Sequence, residues 1–421
     1  LDTGETFLGW TITAPFLAVG VWSPVFGRLG DIVGHRRVFL VGLGVFAAGT
    51  LVSAGAPNAG TLVALRVVAG IGGAATFAPG LAQIMANFDE DERGRAMGWF
   101  AMVATGAPAV GLITGGLIVD RIGWEVGFLL YGSIAAAGWV AAWKVLRPTE
   151  GRTDIGLDLP GAFWLSVTSL TLMLGLYAGG ELGFDHPAAA GLLAASPLAL
   201  VVFIRVERST ADPLVPLGYF AEPNIRGPLI GAAGLNAAYM GGLVVTPLLL
   251  QDLLGYSLSA ASAMLLLRPA TFSATSPVGG SLVTRIGERR CVLAGMGFMA
   301  LSMALLAASA PLDALALVLV GLVLSGVANG LAGPSLNTAV ANAADPADLG
   351  VVSGLLSQAS TLGIVFGLQA FLIAVGSDPD AAADFPPPYL LGLGLAVIGA
   401  LAATTMRPRA VPATAPAAAT T

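Results

Sequence analysis

Gly27–Val38 reads GRLGDIVGHRRV, and far along the chain Gly280–Val292 reads GSLVTRIGERRCV, each between long apolar runs. Aligning Gly34 with Gly287 superimposes Gly27 on Gly280, Leu29 on Leu282, Arg36 on Arg289 and Arg37 on Arg290. A cationic loop repeated at this distance signals two related halves. Inside a membrane, related halves around a central site are the architecture of alternating-access carriers. Among the places where the copies differ in charge, Asp31 of the first is matched by Thr284 of the second.

Composition places the chain in a bilayer. It is 56% hydrophobic and 10% charged, with a mean hydropathy of +0.84, whereas a soluble domain is about 25% charged. The 57 glycines fit an all-α polytopic membrane protein, whose helices use small residues to bring backbones together. Nucleic acid is not expected as a partner without a basic stripe. A single cysteine, Cys291, rules out an internal disulfide, and His35 and His186 are too few for a metal cluster. The expectation is a protein that is no enzyme and needs no metal or cofactor.

A spanning helix needs roughly 20 mostly apolar residues. Thirteen segments qualify: 7–26, 38–56, 60–86, 96–118, 124–146, 159–179, 188–205, 228–250, 258–282, 291–309, 312–340, 350–375 and 387–405. Pro79, Pro108, Pro269 and Pro277 fall inside spans, where proline kinks or breaks a helix. Alternate loops gather the basic residues, beginning with Arg28, Arg36 and Arg37 and ending with Arg407 and Arg409 in the tail, while the intervening loops hold Arg121 alone. That asymmetry puts the basic loops and the C-terminus in the cytoplasm, with the protein in the inner membrane. An odd number of spans then leaves Leu1 outside, which predicts a further helix upstream of residue 1.

These residues resemble the major facilitator superfamily, specifically its fourteen-helix drug:proton antiporter (multidrug efflux) branch. The family signature between its second and third helices, approximately G-x-L-[AG]-D-R-x-G-R-[KR], is fitted by Gly27, Leu29, Gly30, Asp31, Gly34, Arg36 and Arg37. Arg66, Gly70 and Gly72 are similar to its fourth-helix motif R-x-x-Q-G-x-G, with Ala69 in the glutamine place. The fifth-helix antiporter motif G-x-x-x-G-P-x-x-G-G is matched by Gly111, Gly115 and Gly116, but Leu112 stands where its proline belongs and a proline occurs at Pro108. The resemblance implies two pseudo-symmetric six-helix bundles plus two linking helices, of which this chain holds thirteen helices and lacks the first. Residues 1–146 would be the N-terminal bundle, 147–227 the linking helices and a cytoplasmic loop, 228–405 the C-terminal bundle and 406–421 a disordered cytoplasmic tail. It also implies that Gly27, Asp31, Gly34, Arg36 and Arg37 act as a latch between the halves.

Charge inside a bilayer is costly, so intramembrane arginines are functional candidates. Arg66 is read either as part of a coupling network, as the resemblance implies, or as a side chain that snorkels to a nearby interface or caps backbone carbonyls. Arg268 either anchors an anionic substrate or satisfies carbonyls released by Pro269. Asn236, Tyr239, Gln251, Asn329 and Gln358 are candidates for lining a cavity or for bonding between helices. Coupling to protons needs a buried acid, and none lies well inside the thirteen segments. In the resembled branch that acid is commonly in the first helix. The expected function is proton-driven export of a small lipophilic or amphipathic substrate, by a monomer that draws on the proton gradient. Alternatives are uptake or symport of a small organic anion held by Arg268, and a non-transporting membrane sensor or defective fragment.

Overall fold

The computed structural model describes residues 5–152, 156–376 and 381–407, without the side chains at 5–9, 12, 13, 86, 90, 108–122 and 181. Pro108, Gly111, Gly115 and Gly116 therefore lie outside the described side chains, as does the tail beyond residue 407. Among the described residues fourteen α-helices follow in order: α1 (Glu5–Val33), α2 (His35–Ser53), α3 (Ala59–Asn87), α4 (Glu90–Ile122), α5 (Trp124–Val145), α6 (Leu159–Leu182), α7 (Pro187–Ser209), α8 (Pro223–Leu248), α9 (Leu258–Leu265), α10 (Leu267–Ile286), α11 (Glu288–Ser309), α12 (Leu315–Ala343), α13 (Leu349–Val375) and α14 (Pro386–Thr404). α9 and α10 together occupy the place of one expected span, so thirteen rods result. The interruption at Leu266 has a local cause: Pro269 cannot donate, and its ring crowds the carbonyl four residues back, that of Leu265. Pro79 and Pro277, by contrast, are absorbed within continuous helices.

The repeated motif is not the loop that the sequence suggests. α1 runs straight through Gly27–Val33, and Gly34 alone leaves helical geometry, with φ +99°. Gly287 does the same between α10 and α11, with φ +86°. Both angles lie where side chains other than glycine's are strained, which is why the duplicated sequence keeps a glycine at each corner.

Among the described residues, eleven helices are long and apolar enough to cross a membrane on length and composition alone. α4 and the α9–α10 rod are not among them. α4 opens with Glu90, Asp91, Glu92, Arg93 and Arg95, and α10 is rich in hydroxyls. Those hydroxyls are satisfied inside the helix: Thr271, Thr275 and Ser276 donate to the carbonyls of Leu267, Thr271 and Phe272.

Helix packing repeats between the halves. α1 packs on α3, and α2 on α3 and α5; correspondingly α10 packs on α12, and α11 on α12 and α14. The halves meet along two seams, α1 against α13 and α4 against α10. α6 and α7 form a hairpin whose α6 lies against both α1 and α13, so the linking pair covers the first seam. One relation lacks a counterpart among the described residues. α8 packs on all four of α11, α12, α13 and α14, whereas the matching quartet α2–α5 surrounds a cavity of about 810 Å³ lined by Phe39, Phe46, Phe77, Gln83, Asn87 and Phe100.

Candidate functional site

The densest polar constellation sits where α1 meets the start of α13. Gly27 and Gly350 are in backbone contact, since a Cβ on either would strike the other's carbonyl oxygen. That approach brings Asp31 to the N-terminus of α13. Its Oδ1 accepts the Gly350 N–H at 2.8 Å and its Oδ2 the Val351 N–H at 3.0 Å. These are the second and third residues of α13, whose N–H groups have no partner within the helix. The carboxylate thus caps a helix of the opposite half, favoured by the positive end of that helix dipole. Because α1 extends to Val33, Asp31 lies in the last turn of α1, and the helix it caps belongs to the other half.

The neighbouring groups brace this cap. Arg28 Nη1 meets Asp348 Oδ1 at 3.0 Å, and the Tyr219 hydroxyl donates to Asp348 Oδ2 at 2.8 Å. Burial, then the Asp348 carboxylate, raises the Tyr219 hydroxyl above its ordinary pKa. His35 Nε2 lies 3.3 Å from Asp31 Oδ1. The remaining motif residues face elsewhere. Arg36 donates its backbone N–H to Thr149 Oγ1 and its Nη2 to the Trp143 carbonyl, Gly34 packs on the Thr149 backbone, and Arg37 is exposed. Of the five expected latch residues, Gly27 and Asp31 cross the seam, while Gly34 and Arg36 fasten the segment that leaves α5.

The second seam uses the same close approach without the carboxylate. Gly280 contacts the Gly94 carbonyl, Gly98 packs on Ser276, and Ser273 Oγ donates to the Met102 carbonyl at 2.8 Å. Thr284, the counterpart of Asp31, bonds back to Ser281 of its own helix. Arg93 Nη1 reaches Asn342 Oδ1 at 2.8 Å, and Asn342 Nδ2 reaches Glu288 Oε1 at 2.8 Å, a relay from α4 to α12 and α11.

The intramembrane candidates fall into separate groups: Arg66 bonds within the first half, and Arg268 meets Tyr239 in the second. Arg66 Nε donates to the Thr11 carbonyl at 3.2 Å, with its guanidinium 5.5 Å from the Phe128 ring centroid. Four residues after Thr11 comes Pro15, which has no N–H to offer. Arg66 therefore reaches the acceptor that this proline leaves open. Arg268 is fully buried within the second half: Nε donates to Ser325 Oγ, Nη2 to the Tyr239 carbonyl, both at 2.8 Å, and the guanidinium stands 4.3 Å from the Tyr239 ring centroid. It ties α8, α10 and α12 together and bonds no carbonyl released by Pro269. Asn236, Gln251 and Asn329 each bond back to the carbonyl four residues earlier. Gln358 reaches Ser169 and so joins α13 to α6.

Sequence reasoning missed Asp348 and Tyr219. The Asp345-Pro346-Ala-Asp348 run ahead of an apolar stretch was the available signal for a helix start. It also placed the end of the seventh segment too early to include Glu207, which lies buried within α7.

The sequence profile described as Major Facilitator Superfamily matches residues 1–368 and, again, 229–420. The puromycin resistance protein pur8 of Streptomyces alboniger is 31% identical over 91% of this chain and 79% of its own length. The methylenomycin A resistance protein of Streptomyces coelicolor is 30% identical over 96% of this chain and 85% of its own length. The multidrug transporter protein MdtP of Bacillus subtilis is 28% identical over 87% and 68%, respectively. Among solved structures, the human organic anion transporter MFSD10 (TETRAN) superposes with a TM-score of 0.68 at 19% identity, covering 94% of this chain and 83% of that one. The proton:xylose symporter XylE superposes with the same TM-score of 0.68 at 14% identity, covering 95% and 86%.

Proposed function

Because this chain belongs to the Major Facilitator Superfamily, we propose that it is a multi-pass membrane exporter of lipophilic or amphipathic, drug-like compounds, working by alternating access and driven by protons. Export is supported by the relatives, whose names are those of antibiotic resistance and multidrug transport proteins. The single observation that carries the mechanism is the Asp31 cap on α13, a reversible bond between two halves that must separate on one side. Uptake of an anion at Arg268 has less support, since that side chain is buried inside one bundle and already bonded there.

The fourteen-helix reading is part of the same proposal. The unfilled quartet α2–α5 mirrors the one that α8 fills, and a helix preceding residue 1 is the natural occupant of its cavity. On that reading the basic corners and the C-terminus face the cytoplasm, and the protein acts as a monomer in the inner membrane. A cysteine at Thr76 in the full-length protein then resists maleimide, with the buried native Cys291 as a silent background. The function is tested by drug accumulation in a host lacking its own exporters. Expression should lower accumulation, and a protonophore should abolish the difference. Accumulation that is unchanged by expression, or raised by it, rejects export; a difference insensitive to the protonophore rejects proton coupling.

A further inference from the structure

Between the linking helices lies a pair of carboxylates that the latch does not use. Asp158 precedes α6 and caps it, its Oδ1 accepting the Gly161 N–H at 2.9 Å. Glu207, near the end of α7, accepts the Val215 N–H on Oε2 at 3.3 Å. Both side chains are buried, with Asp158 at 6% and Glu207 at 3% exposure. Their second oxygens, Asp158 Oδ2 and Glu207 Oε1, accept no hydrogen bond from the protein. A Cβ built on Gly161 would strike both of these oxygens, so they converge over one spot.

Two ionised carboxylates in this arrangement would bury two charges face to face with neither open oxygen satisfied. A single hydrogen resolves both faults: one carboxyl donates, the other accepts, and one negative charge remains. The charged neighbour for that remaining charge is Arg28, which interacts electrostatically with Glu207 and whose Nε is buried without a partner. Arg205 and Arg208 on α7 are exposed, and the other face of Glu207 is closed by Val215. We propose that Asp158 and Glu207 share one proton, forming an acid–carboxylate pair that is a proton-binding site between the linking helices. Through Arg28, which also holds Asp348, the charge state of this pair bears on the latch. The site stands on its own geometry, and only its link to transport rests on the proton-driven exporter reading.

The test is infrared difference spectroscopy of the purified full-length protein across a pH titration. A protonated-carboxyl stretching band that disappears on alkalinisation is expected in the wild type and lost in both Asp158→Asn and Glu207→Gln. Thermal unfolding gives a second readout. Loss of the shared proton restores the repulsion, so the wild-type midpoint should fall as pH rises, while Glu207→Gln, whose amide replaces the proton permanently, loses that pH shift. If the amide variants do not fold, Gly161→Ala keeps both carboxyls and wedges a methyl between them, and the band should shift or vanish. A band missing from the wild type, or unchanged in every variant, overturns the pair. Stabilisation by added sodium or calcium without any carboxyl band also overturns it, in favour of a metal cation. Failure of the exporter reading would show in drug accumulation and leave this spectrum untouched.

Discussion

The two seams between the halves share their geometry and differ in their chemistry. At each, a pair of glycines lets backbones touch: Gly27 with Gly350 in the first, Gly280 with Gly94 in the second. Among the described side chains, only the first adds a carboxylate across the gap. The difference follows from where the facing helix begins. α13 starts at Leu349, so Gly350 and Val351 present free N–H groups to Asp31. α4 starts at Glu90, so the N–H of Gly94 already lies beyond the first unbonded turn, and a cap opposite it would find nothing to bond. The backbone contact is common to both seams, and the carboxylate finds donors where the facing helix begins.

This contrast can be broken or sharpened by substitution. The largest effects belong to what the seams share: Gly27→Val and Gly280→Val each drive side-chain atoms into facing backbone. Both should abolish drug efflux while the protein still reaches the membrane, and a variant that transports would refute close approach at its seam. Next comes Asp31→Ala, which orphans two donors at about 1–3 kcal/mol each, enough for at least tenfold slower efflux. Normal efflux by this variant would remove the latch. Arg28→Ala should be milder, about 1–2 kcal/mol, because Asp348 is partly exposed and keeps Tyr219. Its readout is faster maleimide labelling of a cysteine placed at Ser357, which faces Ser23 across the first seam. The smallest effect is expected for Thr284→Asp. With no free N–H opposite, it should change efflux less than about twofold, and a variant locked in one state would show that the second seam does accept an anion.

Much of the fold was legible in the sequence because a bilayer imposes a length and a composition on each span. The duplicated motif also gave the symmetry, and its glycines located two corners. What remained hidden was three-dimensional. Asp31 could be singled out as a latch, but its partner is a backbone more than three hundred residues away with no side-chain signature. Arg66 carries the family motif, yet its bond is dictated by Pro15, through a missing hydrogen at a position that no motif marks. Arg268 was visible as an oddity, and whether it faced a cavity or a bundle interior depended on helix rotation. Glu207 was lost to a span boundary drawn a few residues short, since hydropathy fades at an acid whether the acid faces water or is buried.

The glycine corners carry a mechanical consequence. With one non-helical residue between α1 and α2, and one between α10 and α11, these helix pairs have almost no compliance of their own. Rotation cannot be absorbed there without unwinding a turn. Longer connections join the groups of helices at 146–158 and 210–222, and they bracket the α6–α7 hairpin. The first is fastened to the α1–α2 corner through Thr149 and the second to the start of α13 through Tyr219 and Asp348, so the hairpin resting on the first seam is tied at both ends while each half turns as a rigid block.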